Sequence, residues 1–167
     1  MRLVSNEQKS EWGNYSDRIN SFDDEKDIEA FISLTRKNED LRFFIRNKLG
    51  KGLMSFRPHF YGKYGPDLTI VDEFQKPVAD LDVERWSQWG ETWPEYYKYI
   101  HFLGRKDKYL NEDRPFFMVY LNYPRTKCLV VEKETILKYP TILKKFKKKN
   151  VLDKVKEISL SEGVIFT

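Results

Sequence analysis

The sequence predicts an α/β (α+β) layer fold, a central mixed β-sheet flanked by helices. Three observations carry this. Two stretches before residue 50 place apolar residues at helical spacing. Later, short runs rich in Val, Ile, Phe and Tyr are bounded by Gly, Pro, Asn and Asp, the pattern of strands. The resulting order, α-β-β-β-α-β-β-α, calls for one sheet with helices packed on its faces.

Ser21, with Asp24 three positions on, fits a capping box, and Ile28, Phe31, Ile32 and Thr35 follow at helical spacing. Asn38 opens a second run through Leu41, Phe44, Ile45 and Leu49, closed by Gly50 and Gly52. The two runs form one bent helix or two. Residues 53–61 read as a strand, and 62–65 as a turn-rich link. A short β-branched strand is expected over 68–71, a hairpin turn over 72–77 and a strand over 78–86. Thr92, Pro94 and Glu95 open a predicted helix that runs to about Leu103 and stops at Gly104. After a charged loop, 116–122 and 127–131 form a hairpin. Residues 134–139 and 140–149 read as two short helices split by Pro140, with Ile142, Leu143 and Phe146 as the inward stripe of the second. A last strand is expected over 163–166.

At 167 residues the chain has the size of one domain, and its aromatic and charged content excludes low-hydrophobicity disorder. The net charge of +4 is unevenly spread: residues 133–156 hold nine lysines against Glu134 and Asp153. Such a run is a solvated helix face or a patch that meets a polyanion. The single cysteine, Cys128, excludes an intrachain disulfide and sits in an apolar run, as a small core residue does. The polar start lacks a signal-peptide core, and no stretch reaches the roughly 20 apolar residues of a membrane span. A soluble, cytoplasmic protein with no membrane partner is the expectation.

The chemistry concentrates at Pro66-Asp67 and at Asp80-Leu81-Asp82-Val83-Glu84. A strand has a side-chain period of two, so Asp80, Asp82 and Glu84 share one face. Like charges stacked that way repel, and a hard divalent cation is the simplest remedy. Asp67, near the start of the neighbouring strand, completes such a site.

In its order of elements, with a strand opening on Pro66-Asp67 and a following strand bearing Asp82-Val83-Glu84, the chain resembles the PD-(D/E)XK nuclease superfamily over about 38–131. The resemblance implies a restriction-endonuclease-like core with a basic extension over about 133–167. It also implies hydrolysis of phosphodiester bonds in DNA, in DNA repair or phage DNA processing. Asp67, Asp82 and Glu84 are then catalytic. Asp67 and Asp82 hold Mg2+ or Mn2+, Glu84 adds a further ligand, and Glu39, in the first turn of the preceding helix, completes the shell. Glu84 stands where the family pattern has lysine. A glutamate cannot stabilise negative charge on phosphate, but it can bind metal or accept a proton from water. A relative that has lost catalysis and binds nucleic acid, or serves in assembly, carries the same departure. Arg85 faces the other side of the strand, whereas Lys98, in the predicted helix, is a substitute for the missing lysine. Backbone contact with nucleic acid, DNA by this resemblance, falls to Lys63, Arg105, Lys106, Lys108, Lys144, Lys145, Lys147 and Lys148. A homodimer is common among enzymes that cut both strands, yet nothing in the sequence marks an interface.

Trp86, Trp89, Trp93, Tyr96 and Tyr97 form either a base-stacking platform or a packed corner. His59 and His101 lack the spacing of zinc ligands, and His59 precedes the Asp67 strand closely enough to approach the site.

Overall fold

The computed structural model describes residues 22–50, 54–58, 65–146 and 151–167. The first helical runs are two helices, α1 (Phe22–Lys37) and α2 (Glu39–Leu49). Asn38 separates them in an extended conformation, and its side-chain oxygen accepts a 2.9 Å hydrogen bond from the Leu41 N–H. Gly50, at φ 63°, ends α2 in the left-handed region that glycine tolerates best.

Strands β1 (Met54–Pro58), β2 (Leu68–Asp72) and β3 (Pro77–Arg85) form an antiparallel meander. The β2–β3 turn is tied by Asp72, whose Oδ1 accepts from the N–H groups of Phe74 (2.9 Å) and Lys76 (3.0 Å). Next to β3 lies β5 (Phe116–Leu121), and that pair is parallel. A parallel pair needs a crossover over one face of the sheet. The crossover here carries β4 (Tyr99–Leu103) and a 3₁₀ segment, Gly104–Leu110. The chain continues through β6 (Cys128–Glu132), α3 (Lys133–Leu137), β7 (Ile142–Phe146), β8 (Val151–Ser159) and β9 (Val164–Phe166).

A six-stranded mixed sheet results, in the order β1-β2-β3-β5-β6-β9, beside a three-stranded antiparallel sheet β4-β8-β7. One face of the large sheet presents Leu81, Val83, Val119 and Val130 to Phe31 of α1 and to Leu41 and Ile45 of α2. The other face presents Phe116, Met118, Tyr120 and Val131 to Ile100, Phe102 and Ile158 of the small sheet. Cys128 packs in the helix-side core, where burial pushes its thiol up to about 12. Among the described residues, no helix is long and apolar enough to cross a membrane.

Two predicted helices are strands. Thr92 to Lys98 make turns, and the residues meant to extend a helix form β4, with Ile100 and Phe102 buried and paired to β8. Period two wins over the capping signal because β8, unassigned by the sequence reading, supplies a hydrogen-bonding partner. The run around residue 142 is β7, paired to the same strand, and Ile142 and Leu143 are exposed rather than an inward stripe. Trp86 stacks on Trp93 (5.5 Å between ring centroids), and both Trp86 and Trp89 are buried, so the tryptophans are packing, whereas Tyr96 is exposed.

A carboxylate cluster closed by a buried lysine

Three elements meet at the crossover face of the large sheet. Because Leu68 pairs with Leu81, Asp67 lies just before β2, opposite Asp82 of β3. The two motifs are laced together reciprocally. The Asp67 N–H donates to Asp82 Oδ1 (3.2 Å), and Asp67 Oδ2 accepts from the Val83 N–H (2.8 Å). The approach of Asp67 is fixed from the crossover side by Tyr109, whose hydroxyl donates to the Gly65 carbonyl at 3.2 Å.

The third element is the 3₁₀ segment. With three residues per turn, positions 106 and 109 share a face, and Lys106 and Tyr109 are both buried. Lys106 Nζ lies 2.7 Å from Asp82 Oδ2 and 3.2 Å from Glu84 Oε2. Its side chain is only 5% exposed, so the contacts form away from bulk water. An ammonium from the crossover thus stands beside Asp82 and Glu84 on β3.

The row of three acids on β3 is divided between two cations. Asp80 turns to Arg114, whose Nη2 lies 3.2 and 3.0 Å from its two carboxylate oxygens, and it also accepts from the Thr69 hydroxyl (3.1 Å). Asp82 and Glu84 turn to Lys106. Protein side chains therefore offset part of the repulsion that, on sequence alone, called for an ion.

The remainder falls on Asp67. Its carboxyl is held well above the usual carboxylate range, first by burial and then by the Asp82 charge, against the Val83 N–H and the Lys106 charge. The Tyr120 hydroxyl, which donates to the His101 carbonyl (3.0 Å), is also raised, chiefly by burial and next by Glu84.

A raised carboxyl has a defined signature. Asp67 keeps its proton to higher pH in the folded chain than in the unfolded one. Its stabilising contribution is greatest below the ordinary aspartate range and is lost as pH rises toward the folded value. Asp67→Asn retains an acceptor for Val83 and removes the titration. The expected result is a higher melting temperature than wild type at neutral pH and a flatter pH profile above pH ~4, read by circular dichroism. Coincident profiles would refute it.

The remaining predicted residues are placed as follows. Glu39 is exposed at the start of α2, and that helix packs on the opposite face of the sheet. The expectation that it joins the ligand shell is corrected: Glu39 serves the helix N-terminus. Lys98 is exposed, just ahead of β4 rather than on a helix. Arg85 faces α1, 3.9 Å from Asp27, as the strand period requires. Lys106, expected at a phosphate-contacting surface, is instead buried among the carboxylates. Arg105 and Lys108 are half-buried on the same segment. Lys144 pairs with Glu157 at 2.7 Å, and Lys145 is exposed. His59, Lys63, Lys147 and Lys148 lie outside the described residues.

Sequence spacing missed the role of Lys106. The available signal was the lack of positive charge on the acid-bearing face of β3. The choice among Arg105, Lys106 and Lys108 needed the 3₁₀ face.

Among the described residues, no group of three or more His, Cys, Asp or Glu side chains is arranged to hold a metal ion. Asp67 and Asp82, on adjacent strands and linked by the Asp67 N–H to Asp82 Oδ1 bond, are the residues that could hold a hard cation, since magnesium takes one or two carboxylates with water completing its shell.

No protein-family model and no curated protein sequence matches the chain. A solved structure, D212, a nuclease from a fusselovirus, is similar over 98% of this chain and 89% of its own, at 17% identity and a TM-score of 0.43.

Proposed function

We propose that the protein is a metal-dependent nuclease that hydrolyses phosphodiester bonds in DNA at the Asp67–Asp82–Glu84–Lys106 cluster. The observation that carries this reading is the buried ammonium of Lys106, 2.7 Å from Asp82, on the face where the motif strand lacks its lysine. Asp67 and Asp82 would hold Mg2+ or Mn2+. When bound, such an ion lowers the pKa of water and neutralises charge on the phosphate.

The chain's own residues do the rest. Lys106 reaches this face from the crossover and offers positive charge to a phosphate oxygen as negative charge builds there. Glu84 is about one-quarter exposed and reaches solvent, so it is the group placed to accept a proton from an attacking water. The reciprocal hydrogen bonds between the two motifs hold the carboxylates without reorganisation. The paired oxygens of Asp82 also support a second reading, in which Lys106 permanently takes a cation's place and the fold binds nucleic acid without cutting it.

Incubation of plasmid, linear and branched DNA with the purified protein separates the two. Cleavage that requires magnesium or manganese is expected. If no substrate is cut with either ion, the enzymatic reading fails and the second stands.

A further inference from the structure

Strand β8 pairs with β4 only over Val155–Ser159, whereas its pairing with β7 covers Val151–Val155. The β7–β8 pair therefore continues past the three-stranded sheet as a two-stranded ribbon. Its inner face is engaged. Phe146 meets the His101 ring edge-on at 5.8 Å, and Lys144 is bound to Glu157, whose carboxyl is lowered chiefly by that contact.

The outer face carries Leu143 paired with Lys154, and Lys145 paired with Leu152. All four are exposed, the leucines by 65% and 64%, so apolar and cationic groups alternate across the two strands. Lys154 also lies within electrostatic reach of Asp107. The two exposed leucines give this face apolar surface that a partner could bury. Among the described residues of the ribbon, the cations on this face are Lys145 and Lys154, both exposed, and residues 142–156 as a whole hold seven lysines against the single acid Asp153. A second copy of this face would oppose ammonium to ammonium, whereas a polyanion complements it.

We propose that the β7–β8 ribbon docks in the major groove of duplex DNA, with Lys145 and Lys154 on phosphates and Leu143 and Leu152 against apolar base edges. Paired strands lie about 4.8 Å apart, and the B-form major groove, about 12 Å wide, admits a two-stranded ribbon. The deep, narrow major groove of A-form RNA does not. The inference shares its nucleic-acid partner with the proposed nuclease, but it concerns binding and needs no metal.

The test is fluorescence anisotropy of the full chain with a short labelled DNA duplex, in chelator, across a salt series. Lys145→Ala/Lys154→Ala should weaken binding at least tenfold and flatten the log–log salt slope by about two. Leu143→Ser/Leu152→Ser should weaken it several-fold with the slope unchanged. An RNA duplex of the same sequence should bind less well. Unchanged DNA binding in the lysine variant would overturn the proposal and leave the lysines as edge protection. So would equal affinity for the RNA duplex. A leucine variant that abolishes self-association in sedimentation without altering DNA binding would assign the face to a second copy. If wild type binds through the ribbon but never cleaves, the nuclease reading fails alone. If it cleaves while ribbon variants bind normally, the ribbon fails alone.

Discussion

Lys106→Met should reduce DNA cleavage by about 10²–10³-fold, the range seen when one preorganised group that stabilises transition-state charge is removed. Methionine preserves the length of the buried stem and deletes the charge. Asp82 and Glu84 then lose the ammonium 2.7 and 3.2 Å away, and Asp67 loses a charge that lowers its pKa. Breaking a buried ion pair from one side costs about 3–5 kcal/mol, and the Lys106 and Asp82 side chains, at 5% and 6% exposure, qualify as buried. Urea denaturation should report that loss without added metal. Manganese should restore part of it, because a divalent ion can occupy the charge position that the ammonium leaves. Calorimetric titration should show manganese binding retained or tightened while cleavage collapses. Full cleavage in Lys106→Met would remove the residue from the chemistry. Loss of manganese binding together with cleavage would show that the lysine only organises the carboxylates.

Asp82→Ala should abolish both the calorimetric signal of manganese and all cleavage. Asp82 is the hub of the cluster: its two oxygens meet the Asp67 N–H and the Lys106 ammonium. Removing it takes from Lys106 its shortest carboxylate contact while Glu84 remains, for a stability loss of about 3 kcal/mol, the lower end of the range for a broken buried pair. The double variant Asp82→Ala/Lys106→Met removes both charges. It should therefore be more stable than Asp82→Ala, a coupling that a double-mutant cycle reads directly. Manganese binding by Asp82→Ala equal to wild type would move the metal site elsewhere. Additive losses in the cycle would mean that the 2.7 Å contact carries no energy.

The amino-acid sequence determined the face on which the acids of β3 stand, because a strand's period of two is local geometry. It also determined the helix opened by Asn38, the turn at Asp72 and the hairpin of β5 and β6, since capping, turn chemistry and alternation act over a few residues. The neighbourhood of Asp67 and Asp82 was legible for the same reason: a short hairpin joins the strands that carry them. Whether Ile100 and Phe102 lie on a helix or a strand could not be read locally, because the deciding hydrogen bonds come from β8, more than 50 residues later. The cation beside Glu84 was hidden in the same way. A parallel β3–β5 pair forces the chain across the face of the acids, and the 3₁₀ turn in that crossover presents Lys106 and Tyr109 together. Local sequence sets which groups a segment offers; the long-range pairing of strands sets which charges meet.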